Sequence, residues 1–92
     1  MQEIKHFING EFVGSNSGKT FPNINPATNQ QIGVVHEAGR AEVNAAVEAA
    51  RAALKGPWGK MPVAERMDIL HKVADGINAR FDEFLEAECL DT

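Results

Sequence analysis

Hydrophobic residues follow two different spacings along the chain, and the spacing changes near Gly39. Before that point, two short runs of β-forming residues, Phe7-Ile8 and Phe12-Val13, flank the pair Asn9-Gly10. An Asn-Gly pair between such runs is a strong signal for a two-residue turn. We therefore predict a β-hairpin with its turn at Asn9-Gly10.

The rest of the first third contains a polar loop, a second turn and a short strand. Residues 14–19 carry too little apolar surface to pack, so they are predicted to be a loop, with order resuming at Thr20-Phe21. Pro26 fixes its own backbone and disfavours the helical region at Asn25, which predicts a turn over residues 25–29. A strand over Gln31–His36 is expected next.

From Gly39 onwards the apolar residues recur every three or four positions, which is typical of amphipathic helices. The first predicted helix carries one apolar stripe, formed by Val43, Val47, Ala50 and Leu54. Gly39 is an acceptable N-cap with Glu42 three residues later. At the other end, Lys55 places a cation in the last turn. Gly56 is expected to end the helix in the left-handed conformation, and Pro57 cannot continue the helix.

Two more helices are expected. The second runs over about residues 63–78 and buries one apolar face, made of Val63, Met67, Leu70, Val73, Ala74 and Ile77. The third begins near Phe81 or Asp82 and buries Phe84, Leu85 and Leu90. The predicted fold class is therefore α/β, with a β-hairpin and a short strand followed by about three amphipathic helices, and with no domain boundary inside residues 1–92.

Composition narrows the class of protein. The chain is 43% hydrophobic and 24% charged, as in ordinary globular domains. Cys89 is its single cysteine, so no internal disulfide is possible, and there is no apolar N-terminal run of the kind found in signal peptides or membrane spans. These features favour the cytoplasm. The net charge of -4 and the scattered basic residues argue against nucleic acid as a partner.

Few residues are candidates for chemistry. Cys89 lies among Glu86, Glu88 and Asp91, which disfavour a thiolate, so an ordinary helix cysteine is the favoured interpretation. The three histidines lack metal-ligand spacing and are given structural or surface roles; they are His6, His36 and His71. Neither glycine-rich phosphate-binding motif is present.

Trp58 and the acidic residues of the last helix have both a functional and a structural interpretation. An indole just after a helix end can stack on a ligand, but it more often packs a loop onto the core, and packing is favoured for Trp58. The pairs Asp82/Glu83 and Glu86/Glu88 could act as acid and base only if burial separated their pKa values. A solvated helix face is the simpler explanation.

The last residues, Leu90-Asp91-Thr92, lie inside the third predicted helix without a glycine, a proline or a basic last turn. Helices that end in a finished protein usually carry one of these signals. The sequence is therefore expected to be a piece of a longer polypeptide.

Five short motifs occur in order over nearly the whole chain. They are F-I-N-G-E-F-V at 7–13, N-P-A-T at 25–28, V-x-x-A-V-x-A-A-R-A-A at 43–53, A-E-R-x-x-I-L-x-x-x-A-D at 64–75 and L-D-T at 90–92. In this order, with Trp58 between the third and fourth, they resemble the opening of the NAD(P)-dependent aldehyde dehydrogenases. The sequence at 5–10, 36–43 and 80–86 most resembles that of the members that oxidise 2-hydroxymuconic or 2-aminomuconic semialdehyde in bacterial aromatic-ring degradation.

This resemblance implies the N-terminal part of the cofactor-binding domain of a homo-oligomeric, NAD-dependent enzyme that acts on a small aldehyde. In the family a cysteine thiolate attacks the aldehyde, a hydride passes to NAD⁺, and a glutamate activates the water that releases the acid. All these groups lie later in the family's chain, and Cys89 does not match the nucleophile motif. The resemblance therefore implies that residues 1–92 include no catalytic and no NAD-binding residue. It also implies that this piece is inactive by itself.

The resemblance also implies one binding site within these residues. Many members hold a monovalent cation with backbone carbonyls just before the N-P turn and with the aspartate of L-D-T, which by position are Asn23, Ile24 and Asp91. Hard cations prefer such oxygen ligands. A helix-end aspartate that accepts hydrogen bonds from nearby backbone is an equally good explanation for Asp91.

A second class of function stays open. The chain can also be a stand-alone, acidic, helical module whose exposed apolar stripes bind protein partners. A module of this kind should unfold cooperatively, whereas a piece of a larger subunit should not.

Overall fold

In residues 2–92, which a computed structural model describes, five short strands come before four helices. The strands are β1 (Gln2–Ile4), β2 (His6–Ile8), β3 (Glu11–Val13), β4 (Thr20–Ile24) and β5 (Gln31–His36). The helices are α1 (Arg40–Lys55), α2 (Pro57–Lys60), α3 (Val63–Ala79) and α4 (Phe81–Asp91). The predicted α/β class, with β structure first and helices after it, is confirmed.

The predicted hairpin is present between β2 and β3. The two strands pair antiparallel with Phe7 opposite Phe12, and the two rings meet edge to face with centroids 5.0 Å apart. Asn9 and Gly10 have φ values of 53° and 81°. Both lie in the left-handed region that a type I′ turn requires, so the turn is placed where the sequence predicted it.

A separate three-stranded sheet has the order β1-β5-β4, with β5 in the middle. β4 pairs antiparallel with β5, whereas β1 pairs parallel with it and places Gln2 opposite Gly33. β1 was not predicted. A Cβ atom on Gly33 would lie 2.6 Å from the Gln2 carbonyl oxygen, so this pairing depends on the glycine.

The turn between β4 and β5 lies where it was predicted, and Asn25 holds it. Its side-chain oxygen Oδ1 accepts a hydrogen bond from the Ala27 amide at 2.9 Å, and its carbonyl accepts one from the Asn29 amide at 2.8 Å. Asn29 itself has a φ of 59°. Such an Asx turn satisfies the backbone as the chain reverses, and it therefore fixes the end of β4.

Helix α1 begins at the predicted place and ends differently. The Glu42 carboxylate accepts a hydrogen bond from the Gly39 amide at 3.3 Å, which satisfies one free donor of the first turn. At the other end Gly56 has φ -92° and ψ -162°, so the predicted left-handed stop is wrong. The reason is Pro57, because a proline pushes the residue before it into the extended region.

Pro57 also begins α2, a single turn that was not predicted. Proline suits the first position of a helix, where no partner is needed for its missing N–H. Trp58 lies in this turn and is 37% exposed, so most of the indole surface is covered. A Cβ atom on Gly59 would lie 1.7 Å from the Leu54 carbonyl oxygen, which shows how closely α2 approaches the end of α1.

We expect Gly59→Ala to displace α2 from α1, because the new methyl group meets backbone that cannot rotate away. Such overpacking typically costs about 1–3 kcal/mol. Trp58 is the only tryptophan, so its fluorescence reports the change directly, and its emission should shift to longer wavelength. Gly76→Ala is the matched control, since a Cβ atom at that position has no neighbour within 4 Å. This substitution should only make helix α3 more favourable. An unchanged emission spectrum for Gly59→Ala would contradict the packing described.

The predicted burial of apolar residues on the second and third predicted helices is wrong, and the apolar stripe of α1 is exposed as well. Among residues 2–92 no hydrophobic residue is buried, and Leu54, Leu70 and Phe84 are 69%, 62% and 48% exposed. The molecule is flat and extended, measuring 46 × 34 × 16 Å. The apolar faces of its helices therefore have too little other structure packed against them to be covered.

Candidate functional site

The three predicted site residues lie where the end of β4 meets the end of α4. Asn23 and Ile24 are the last two residues of β4, and Asp91 is the last residue of α4. The Asn23 side-chain amide Nδ2 donates a hydrogen bond to Asp91 Oδ1 at 2.7 Å, although the two residues are 68 positions apart. The fold thus brings Asn23 and Asp91 into direct contact.

The strand is irregular at this point. Asn23 pairs with Gly33 and Ile24 pairs with Gln31, so one extra residue of β5 lies between the two pairs. Such a β-bulge interrupts the regular ladder and re-aims the groups beside it. The Asn25 amide then donates to the Gln30 carbonyl at 2.8 Å, which closes the turn. The bulge therefore lies in β5, opposite the step from Asn23 to Ile24 that precedes the N-P turn.

A cleft of about 430 Å³ lies beside this contact, between the three-stranded sheet and α4. Asn23 and Asp91 stand at its polar edge together with Gln2 and Glu88. Its remaining lining is apolar and consists mainly of Ile4, Ile32, Val35, Phe84 and Leu90. The carboxylate of Asp91 thus lies at the exposed edge of a mainly apolar cleft.

The available donor atoms fit a weakly bound hard cation better than a transition metal. In the described part of the chain, no three His, Cys, Asp or Glu side chains are grouped in a way that could hold a metal ion. What the contact offers is one carboxylate, that of Asp91, whose Oδ1 already accepts the Asn23 hydrogen bond. Oxygen ligands with a single formal charge suit hard cations.

A second polar cluster, which the sequence did not predict, joins the hairpin, the loop after it and the start of α1. Glu42 is 8% exposed, and its Oε1 accepts a hydrogen bond from the Asn16 amide at 2.6 Å. This hydrogen bond is the main reason why the pKa of the Glu42 carboxyl lies below its ordinary value of 4.5, and hydrogen bonds from the backbone amides of Glu42 itself and of Gly39 lower it further. The capping pattern at Glu42 was readable in the sequence, but the approach of Asn16 was not.

His6 and Ser15 belong to the same cluster, and their geometry argues against nucleophilic chemistry. His6 Nε2 lies 2.9 Å from Ser15 Oγ, and the Ser15 hydroxyl donates to the Glu37 carbonyl. Because the hydroxyl proton is used in that bond, Ser15 accepts from the His6 N–H. An activated serine needs the opposite arrangement, in which the imidazole accepts the proton. The pair ties the loop after β3 to the end of β5.

His36 joins the N-terminal strand to the same region. Its Nε2 donates to the Glu3 carboxylate at 2.7 Å, and this hydrogen bond is the main cause of a lowered pKa for Glu3. Cys89, in contrast, is exposed on α4, in keeping with an ordinary helix cysteine. Within residues 2–92 no helix is both long and apolar enough to cross a membrane.

The order of the strands and helices, together with the N-P turn placed against the end of α4, matches one family throughout. Residues 12–92 match the aldehyde dehydrogenase family, and the chain belongs to that family. In the aldehyde dehydrogenase from Bacillus cereus, solved as its NAD⁺ complex, the matching part has a TM-score of 0.91 and 48% identity, and the match covers 98% of this chain and 18% of that one.

Two curated relatives show where in the family the sequence lies. The chain is 78% identical to the 2-hydroxymuconic semialdehyde dehydrogenase of Pseudomonas sp. (strain CF600) over all 92 residues, which are 19% of that protein. It is 40% identical to a 2-aminomuconic 6-semialdehyde dehydrogenase of Pseudomonas sp, again over 92 residues and 18% of the relative. The chain thus spans about a fifth of the length of the relatives it matches.

Proposed function

We propose that this chain is the N-terminal part of an NAD⁺-dependent dehydrogenase for 2-hydroxymuconic semialdehyde. The observation that carries the proposal is the 78% identity to a relative of that name, against 40% for the relative named for the 2-amino compound. The reaction consumes the aldehyde, NAD⁺ and water, and yields the carboxylate, NADH and two protons. The hydride moves from the carbonyl carbon to the nicotinamide.

In this proposal residues 1–92 supply structure rather than catalysis. They form the outer part of the cofactor-binding domain of a cytoplasmic, homo-oligomeric enzyme. The nucleophilic cysteine, the glutamate base and the nucleotide site belong to segments that follow in the relatives. The exposed apolar faces of α1, α3 and α4 support this division, because they offer surface for such segments to cover.

We further propose that Asp91 and the backbone carbonyls of Asn23 and Ile24 hold a monovalent cation. The support is the contact between Asn23 and Asp91, which brings the end of β4 and the carboxylate together. A bound cation would neutralise Asp91 at the edge of the apolar cleft. The simpler alternative is that Asp91 only accepts the Asn23 hydrogen bond and closes the helix end.

The proposed activity can be tested with two proteins. The 92-residue chain, mixed with NAD⁺ and 2-hydroxymuconic semialdehyde, should form no NADH. A chimera in which this chain replaces the aligned segment of the Pseudomonas sp. (strain CF600) relative should form NADH at a rate close to that of the unaltered relative. The absorbance of NADH measures the rate of both reactions.

Two results would count against the proposal. Turnover by the 92-residue chain alone would show that its own residues are catalytic. A chimera that folds and assembles but forms no NADH would show that this chain cannot serve as the N-terminal part of such an enzyme.

A further inference from the structure

The turn of the β2–β3 hairpin places an asparagine and a glycine together at an exposed tip. Asn9 is the only one of the seven asparagines in the chain that a glycine follows. Both residues of the turn are exposed, and a Cβ atom added to Gly10 would have no neighbour within 4 Å. Because glycine carries no side chain, nothing shields the Gly10 nitrogen from the Asn9 side chain.

The reaction open to this pair is loss of the side-chain amide, since asparagine is one of the thermally labile residues. The deprotonated Gly10 nitrogen attacks Asn9 Cγ, a C–N bond forms and ammonia leaves, which gives a cyclic imide. Water then opens the imide. Opening at the side-chain carbonyl gives aspartate, and opening at the main-chain carbonyl gives isoaspartate. In sum, the amide and water become an acid and ammonia, and nothing is oxidised or reduced.

The closed hairpin restrains this reaction. Asn9 and Gly10 have φ values of 53° and 81°, as a type I′ turn requires. A five-membered imide cannot form until the Asn9 ψ angle leaves its value in that turn, because the Gly10 nitrogen must meet Cγ. The reaction therefore needs the hairpin to open.

Few contacts keep the hairpin closed. β2 and β3 have three residues each and form a sheet of two strands, and such a hairpin is marginally stable by itself. The Phe7 and Phe12 rings meet edge to face across the pair, yet they are 64% and 74% exposed. Segments with few buried apolar contacts open locally at low free energy. The tip is thus both chemically labile and weakly held.

We propose that Asn9-Gly10 is a site of spontaneous modification, at which Asn9 becomes aspartate or isoaspartate when the hairpin opens. Isoaspartate adds one carbon atom to the backbone, so it cannot close a two-residue turn, and Phe7 and Phe12 lose their pairing. Each event also adds one negative charge to a chain of net charge -4. The inference does not depend on the proposed dehydrogenase activity.

The test follows the modification in the 92-residue chain. The chain is incubated in mildly alkaline buffer, with and without concentrated guanidinium chloride, and digested samples are analysed by mass spectrometry for exchange of amide for acid at each asparagine. Isoaspartate is counted by enzymatic transfer of a labelled methyl group from S-adenosylmethionine to its carboxylate. Hydrogen exchange of the β2 and β3 amides reports whether the hairpin is closed.

Three variants separate the chemistry from the opening. Phe12→Ala removes one ring of the aromatic pair and should destabilise the hairpin. Phe84→Ala is the matched control, since it removes the same side chain from an exposed position on α4. Asn9→Gln keeps an amide at the tip, but its longer side chain cannot form the five-membered imide.

We expect Asn9 to be modified before every other asparagine, and faster in guanidinium chloride than in buffer. Phe12→Ala should accelerate the reaction about two- to tenfold, the factor that loss of an aromatic pair implies, because the rate follows the population of the open hairpin. Phe84→Ala should leave the rate unchanged. Asn9→Gln should abolish isoaspartate at the turn.

Two results would overturn the proposal. Modification of Asn16 or Asn29 ahead of Asn9 would show that the turn is not the favoured site. Equal rates for the wild type, Phe12→Ala and the denatured chain, with the hairpin amides protected from exchange, would show that opening does not control the reaction. Should these amides exchange freely in the 92-residue chain, the same comparison is made in the chimera, where each result has the same meaning.

Discussion

The 92-residue chain should unfold over a broad temperature range and should bind a fluorescent dye that reports exposed apolar surface. Its total accessible surface is 7373 Å², whereas a compact protein of 10.0 kDa exposes about 5,200 Å². Its radius of gyration is 16.7 Å, against about 12 Å for a compact chain of this length. Since no described hydrophobic residue is buried, little cooperative energy is available to sharpen the transition.

The excess surface is roughly 2,000 Å², which is in the range that obligate protein interfaces bury. The chimera with the Pseudomonas relative is therefore the matched control, because it supplies the segments proposed to cover these faces. It should melt in one sharp transition and bind little dye. Circular dichroism and dye fluorescence measure the two effects. A sharp two-state transition of the 92-residue chain by itself would instead favour the stand-alone binding module.

The second large effect is expected at Glu42, the one side chain that is buried in the described part of the chain. Glu42→Gln keeps the shape but removes the charge that accepts the Asn16 and Gly39 amides. Hydrogen bonds to a charged group are about twice as strong as neutral ones. We therefore expect hydrogen exchange at the Asn16 amide to accelerate by about tenfold or more, because the loop after β3 opens locally.

The same contact predicts an acid response. The folded state holds the pKa of Glu42 below the ordinary value of 4.5, mainly through the Asn16 amide. The ionised Glu42 carboxylate therefore stabilises the folded state fully above about pH 4.5. This stabilisation is lost as the pH falls through the lowered pKa that Glu42 has in the folded state. The NMR shift of the Asn16 amide should follow this titration in the wild type and not in Glu42→Gln. Glu48→Gln, on the exposed side of the same helix, should change neither exchange nor titration.

Local patterns predicted most of the secondary structure but not its burial. The turn at Asn9-Gly10 and the boundaries of α3 and α4 depend on neighbouring residues, which the sequence displays directly. The three residues of β1 are too few to show an alternation, and their partner β5 lies far along the chain. Periodicity shows which face of a helix is apolar, and it does not show whether another layer covers that face.

The candidate site was predictable only in part. The resemblance to a family placed a cation at Asn23, Ile24 and Asp91, but no local rule indicates that an amide on β4 meets a carboxylate 68 positions later. The cluster around Glu42 shows the same limit. Its cap to Gly39 is local and was readable, whereas its hydrogen bond from Asn16 depends on where a polar loop folds back.

The parallel pairing of β1 with β5 has a consequence for how the chain is made. Gln2 is synthesised about thirty residues before Gly33, so its place in the sheet exists only after β5 has been made. The hairpin of β2 and β3 and the antiparallel pair of β4 and β5 both join segments that are closer in sequence, so closing their loops costs less entropy. We therefore expect β1 to pair later than β2, β3 and β4, although it precedes them along the chain.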